Sequence, residues 1–153
     1  MISSLHLAGS LSRVLALWPG WWIVPLQVRD EAAARKAHGA EAVRILTSLG
    51  AQRIIDYATP EPGPEGALFA QLQRTRGQGE SAAIAMAYHR GYAVATDDRQ
   101  ARRSCDGLNP PVPTLGTEDV LTAAIDEALL TAGEARAIWS ATGIRDSNRG
   151  LSR

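Results

Sequence analysis

The chain has 153 residues, 45% of them hydrophobic, and its sixteen basic and sixteen acidic side chains cancel. That length supports one domain with a real core, and the neutral balance excludes a global pull towards nucleic acid, so any such binding needs a local basic patch. The single Cys105 excludes an internal disulfide and suits a reducing, cytoplasmic setting. Near a helix end it reads as a small packed residue.

Leu5, Leu7, Leu11, Val14, Leu15 and Leu17 make a helical stripe that ends at Pro19. The apolar run from Leu5 to Leu26 has no basic region ahead of it. Arg13 and Pro19-Gly20 interrupt it, so it reads as neither a signal peptide nor a membrane span. Trp22-Ile23-Val24 is a short apolar strand stopped by Pro25. Val28 to Leu49 is helical and alanine-rich, with a break at Gly39, and Arg53 to Tyr57 suits a second strand. Pro60 to Gly66 has turn chemistry and is the candidate flexible stretch.

Helices follow at Leu68 to Gln73 and Glu80 to His89, then a strand at Tyr92 to Thr96. Val112 to Leu115 forms a last strand, Thr117 caps a helix running through Leu130, and Ala132 to Ala141 forms the final helix. Residues 1–145 read as one domain and 146–153 as a polar tail. Strands alternating with helices predict an α/β fold, a three-layer α/β/α sandwich on a mainly parallel sheet with the four strands as neighbours.

Glu31, Glu80, Asp97 and Asp98 are the candidate functional acids. Singly, each has an ordinary structural role: Asp97 or Asp98 as a helix cap, Glu80 beside a positive helix end, Glu31 as a solvated first-turn acid. Jointly, three α/β connections bring them to one sheet edge, outside the carboxyl ends of strands where ligand sites gather. Converging carboxylates suit a hard, oxygen-loving cation, which points to metal-dependent phosphate chemistry. Crowded together without a cation they should repel, raising at least one pKa. His6, His38 and His89 show no ligand spacing. Trp18, Trp21 and Trp22 read as core or interface anchors.

Three stretches, in order, resemble the motifs of the PIN-domain family of small nucleases, which includes the toxins of VapBC toxin–antitoxin pairs. Ile23 to Glu31 resembles an apolar strand, a proline, then a helix presenting an acid; Gly77-Gln78-Gly79-Glu80 resembles the glycine-led helix of the next acid. Val94-Ala95-Thr96-Asp97-Asp98-Arg99 resembles the motif that supplies the last acids and a supporting hydroxyl, here Thr96, and Leu115-Gly116-Thr117 resembles the turn after the last strand. One departure stands out. The family opens with a central strand ending in Asp-x-Ser or Asp-x-Thr, whereas here no acid precedes Asp30, and Ile2-Ser3-Ser4-Leu5 resembles the helix after that strand. Either the natural start lies upstream of Met1, or the first strand and one metal ligand are missing. The former costs less, since a missing central strand exposes apolar faces and strand edges; in the chain as given, a gap or distortion in the sheet, or filling by a partner chain, is expected.

The resemblance implies a PIN-like fold and a metal-dependent endoribonuclease, VapC-like, that hydrolyses RNA phosphodiesters. Glu80, Asp97 and Asp98 would hold Mg²⁺ or Mn²⁺, Glu31 would orient a water or second ion, and the chain as given would be weak or inactive for want of the first Asp. Arg99, Arg102 and Arg103 beside the acids, and Arg74 and Arg76 before Glu80, are candidates to hold substrate phosphates. An antitoxin protein and a second copy in a homodimer are the implied partners, with no membrane. The rival reading is a catalytically degenerate PIN-like module that acts through protein binding.

Overall fold

A computed structural model of the chain describes residues 11–18, 20–34 and 39–142. The tail expected at 146–153, His6, His38 and the first residues of the opening stripe lie outside the described residues. In chain order the elements are α1 (Leu11–Leu17), β1 (Trp22–Pro25), α2 (Leu26–Ala34), α3 (Gly39–Ala51), β2 (Ile55–Ala58), α4 (Pro64–Leu72), α5 (Gln78–Arg90), β3 (Val94–Ala95), α6 (Arg99–Asp106), β4 (Thr114–Leu115), α7 (Thr117–Asp126) and α8 (Ala132–Ala141). The fold is α/β with parallel strands. Among the described residues no helix is long and apolar enough to cross a membrane.

Two apolar cores hold the elements together. Val14 and Leu15 of α1, Leu46 and Leu49 of α3, and Val120, Leu121 and Ile138 of α7 and α8 pack with Val24 and Ile55 of the first strands. Trp18 and Trp22 lie against this core, with ring centroids 5.6 Å apart, and the Trp22 indole donates to the Leu15 carbonyl. Ile84 and Ala87 of α5, Val94 of β3, Cys105 of α6 and Val112 form the second. Trp21 is not a core residue: it is 82% exposed.

In the strands the structure departs from four adjacent neighbours and shows the expected gap in the sheet. β1 pairs with β2 and β3 with β4, both parallel, but the two pairs are separate sheets rather than one run of four neighbours. Between them lies a cleft of about 790 Å³, with all of β1 on one side and Tyr92 to Thr96 on the other, floored by α5 at Ala83, Met86 and Ala87. Val94 and Thr96 donate their N–H groups to Pro113 and Leu115 across β4. By strand alternation, the Ala93 and Ala95 peptide groups turn the other way, to the cleft. β3 and β4 are also shorter than the runs expected at 92–96 and 112–115, because the ladder closes over only two residues on each strand.

Helix α5 sets the direction of both pairs. Ala82, Ile84, Ala85, Met86 and Ala87 are all buried, so this helix has little polar face and sits in the middle of the fold, in contact with α2, α4, β1 and β3. It ends at Gly91, whose left-handed backbone (φ 70°, ψ 32°) costs a glycine little, and the chain turns directly back into β3. β3 therefore runs opposite to α5 and finishes level with the start of α5, where Glu31, just beyond β1, also lies. All four strands thus end at one edge.

The loop expected at 60–66 is not free. Pro64 starts α4, at the first helical position where its missing N–H costs nothing. Arg90 of α5 then staples the loop: it bonds both carboxylate oxygens of the buried Glu65, at 2.7 and 3.0 Å, and the Thr59 carbonyl at 3.0 Å. The Glu61 N–H also donates to Glu65. At the other end of the fold, Arg13 pairs with Glu134, which closes a reciprocal cap with Thr131 at the start of α8; these donors lower the Glu134 carboxyl to about 2.

Candidate functional site

The candidate acids stand on three connections: α2 after β1, the start of α5, and the turn after β3. Glu31, on the exposed side of α2, reaches across to α5: its Oε1 accepts the Gly79 N–H at 3.1 Å. This contact explains the two glycines of Gly77-Gln78-Gly79. A β-carbon at Gly77 would come within 3.0 Å of Glu31 Oε1, and one at Gly79 within 2.8 Å of its Oε2 and of Val28. Backbone freedom is not the issue at Gly77, where φ is −64°; close approach is.

Glu80 follows in the first turn of α5 and lines the cleft together with Thr96 and Asp56. Its Oε1 accepts from Arg76 at 2.6 Å, an i,i+4 pair whose members are 28% and 11% exposed. Arg76 is thereby engaged with an acid of the site rather than standing apart from it.

Asp97 is half-buried at the end of β3, and Thr117 grips both of its oxygens. The Thr117 N–H donates to Oδ1 at 2.7 Å, and the Thr117 hydroxyl to Oδ2 at 2.8 Å. Burial alone pushes the Asp97 pKa up; the positive and hydrogen-bonding groups around it, Thr117 among them, outweigh burial and hold it below the ordinary carboxylate value. The repulsion expected between crowded acids is therefore not what governs Asp97. Its surroundings favour the anion.

Asp98 takes the capping role that the sequence left open. Its Oδ1 accepts the N–H groups of Gln100 and Ala101, at 2.6 and 3.1 Å, and starts α6. The Asp98 N–H in turn donates to the Thr96 hydroxyl at 3.1 Å, so Thr96 supports the turn that carries both aspartates. Arg102 reaches back along α6. Its Nε donates to the Thr96 carbonyl at 3.1 Å, and its Nη2 lies 3.8 Å from Asp119 Oδ2. The same guanidinium lies against Gly116, where any β-carbon would collide with it. Arg99 and Arg103 are exposed on the surface of α6.

Two residues of this edge escape sequence reasoning. Thr117 reads there as a helix cap, but Gly116 occupies the cap position and Thr117 is the first residue of α7, fully buried. Asp119 closes that helix start by accepting the Gly116 N–H at 2.6 Å. An acid three residues after a cap position is the signal that could have placed Asp119; nothing local could have paired Thr117 with Asp97, 20 residues away.

The donor set suits a small hard cation: it is all carboxylate and hydroxyl oxygen, and Asp97 is held as an anion. A magnesium ion keeps several waters and takes only one or two carboxylates directly. Among the described residues, no three His, Cys, Asp or Glu side chains stand together as a metal-holding group.

The fold is that of an α/β protein with parallel strands and with acids placed after β1, at the start of α5 and after β3. The model of the DUF3368 family, a PIN domain, matches residues 1–141, and the chain belongs to that family. The family relation points to nuclease function in general, and PIN domains are generally dependent on divalent metals. No curated protein and no solved structure matches the chain.

Proposed function

We propose that the protein is a metal-dependent endoribonuclease that hydrolyses RNA phosphodiesters, a VapC-like toxin by subtype. The observation that carries this reading is the contact of Glu31 with the helix that bears Glu80, in a PIN-domain chain whose cleft is lined both by Glu80 and by Thr96, the residue before Asp97. Glu80 and Asp97 would hold Mg²⁺ or Mn²⁺, with Asp98 close by, although its Oδ1 also caps α6. When bound, such an ion makes a water more acidic and offsets charge on the leaving oxygen.

The chain's own residues do the rest. Glu31 accepts from Gly79 through one oxygen, and we assign it the orientation of the attacking water at the start of α5. Thr96 fixes the aspartate turn through its hydroxyl. Arg99 and Arg103 extend from α6 beside the acids and would hold substrate phosphates, while Arg102 contributes through its guanidinium and also ties Thr96 and Asp119 to the site. An antitoxin protein, a homodimer and a cytoplasmic location belong to the same reading.

The cleft between the two strand pairs supports one more element of it: a further strand seated against β1 and β3, ending in an additional acid beside Glu80 and Thr96. A second reading, a degenerate module that binds protein, is favoured by one observation, the lack of any three-ligand group among the described residues. Cleavage of single-stranded RNA across a Mn²⁺ titration, by the chain and by Asp97→Asn, separates the two.

A further inference from the structure

We infer that Thr117 is a positioning residue for Asp97, and that its hydroxyl sets the metal affinity of the site. This rests on the reading of Asp97 as a metal ligand.

Four observations lead to it. First, the grip is two-handed: the Thr117 N–H and hydroxyl engage different oxygens of one carboxylate, which blocks rotation of the Asp97 carboxyl. Second, the helix has no need of that hydroxyl. Gly116 is the cap residue, and Asp119 satisfies the Gly116 N–H, so α7 is started without the Thr117 side chain. Third, Thr117 is fully buried, where a hydroxyl requires a partner; among the described residues Asp97 supplies it. Fourth, the turn bearing Thr117 is locked to the turn bearing Asp97. Arg102 donates to the carbonyl of Thr96, the residue before Asp97, and its guanidinium packs against Gly116, the residue before Thr117, where a β-carbon would displace it.

The main chain and the carboxylate of Asp97 are thus both fixed from the start of α7, by contacts that bridge residues twenty apart in sequence. A carboxylate held in advance loses little freedom when it binds a cation. Removing a partner of this kind from a metal ligand lowers affinity without touching the ion itself. A purely structural alternative exists: Asp97 serves α7 as an outlying cap, and the metal, if any, ignores Thr117. The two differ in what Mn²⁺ binding does.

The test measures Mn²⁺ binding to the full chain by isothermal titration calorimetry for wild type, Thr117→Val, Thr117→Ser and Asp97→Asn. Valine keeps the shape and the backbone donor but loses the hydroxyl; serine keeps the hydroxyl. The expected result is that Thr117→Val binds Mn²⁺ about 10–100-fold more weakly, Thr117→Ser stays within about threefold of wild type, and saturating Mn²⁺ restores most of the Thr117→Val cleavage rate. Should Thr117→Val fail to fold, Thr117→Ala against Thr117→Ser reads the same quantity. Equal binding by Thr117→Val and wild type, with Asp97→Asn still defective, overturns the positioning role while leaving the metal site standing. Equal weakening by valine and serine overturns it too, since packing rather than the hydroxyl would then be responsible. No Mn²⁺ binding by wild type ends the metal reading and this inference with it.

Discussion

Glu31 and Gly79, 48 residues apart, are joined by a hydrogen bond from the Gly79 N–H to a carboxylate that fills the space a side chain at position 79 would need. The contact couples α2, the helix that follows β1, to the helix that carries Glu80. Gly79→Ala should therefore do two things at once: overpack against Val28 at a cost of about 1–3 kcal/mol, and push Glu31 away from the edge. Glu31→Gln keeps an acceptor for Gly79 and should fold normally while losing RNA cleavage. Thermal melting beside a cleavage assay reads both. Full activity in Gly79→Ala would remove the coupling from the account.

The Arg90–Glu65 pair predicts an acid weakness in a region of the fold remote from function. Hydrogen bonding from Arg90 outweighs burial and lowers the Glu65 pKa, so this contribution to stability is complete above the usual carboxyl range and disappears as pH falls through the depressed folded value. Glu65→Gln should destabilise the fold by about 2–4 kcal/mol at neutral pH, less than for a sealed pair because Arg90 is one-fifth exposed, and should flatten the acid limb of the stability curve. Urea titrations from pH 7 down to 3 check it. An unchanged acid limb in the variant would contradict this.

Much of this fold was legible in the residues, for identifiable reasons. The alanine-rich helix from 78 to 90, its Gly91 stop and the capping aspartate at 98 are local signals, and they survive folding unchanged. The strands were harder. Tyr92 and Val112 look like strand residues by type, but Tyr92 is exposed, and Val112 packs into the second core outside the ladder. The Pro60–Gly66 loop looked free because its anchor, Arg90, comes from a distant helix. At the site, the acids could be read one by one. Their partners could not: Thr117 for Asp97 and Gly79 for Glu31 are meetings that only the tertiary fold makes.

Cys105 should be chemically silent. It is fully buried on α6, and burial, with Asp106 and Glu80 nearby, pushes its thiol up to about 11. Iodoacetamide at pH 8 should label the native chain far more slowly than the urea-unfolded chain, by a factor on the order of the folding equilibrium constant. Because the folded pKa is raised above the ordinary 9.0, the thiol's contribution to stability is complete below about pH 9 and is lost between there and about 11. Rapid labelling under native conditions would mean that the second core is open.

Removing positive charge from α6 should separate the arginines that hold phosphate from the one that also holds the fold. Arg99→Ala and Arg103→Ala should each make the salt dependence of RNA binding shallower, by about 0.7 in slope for every phosphate the side chain neutralises, and their effects should shrink at high salt. Arg102→Ala should weaken RNA binding as well, and it should additionally loosen the Thr96–Asp97 turn, because its Nε holds the Thr96 carbonyl. Its defect should therefore persist in part at high salt. Filter binding at several salt concentrations distinguishes the three. Identical, fully screened behaviour would deny Arg102 its structural share.

The central claim is a metal-dependent hydrolytic site built around Asp97. Asparagine at 97 can still accept the Thr117 N–H through its oxygen, and the Thr117 hydroxyl can rotate to accept from the new amide, so the fold should survive the change. The measurement is cleavage of single-stranded RNA as a function of added Mn²⁺, by the wild-type chain and by Asp97→Asn, each with and without chelator. The account predicts weak cleavage by the wild-type chain that rises with Mn²⁺ and disappears with chelator, and none above background by a folded Asp97→Asn variant. Undiminished cleavage by Asp97→Asn, or cleavage that survives the chelator, would contradict it.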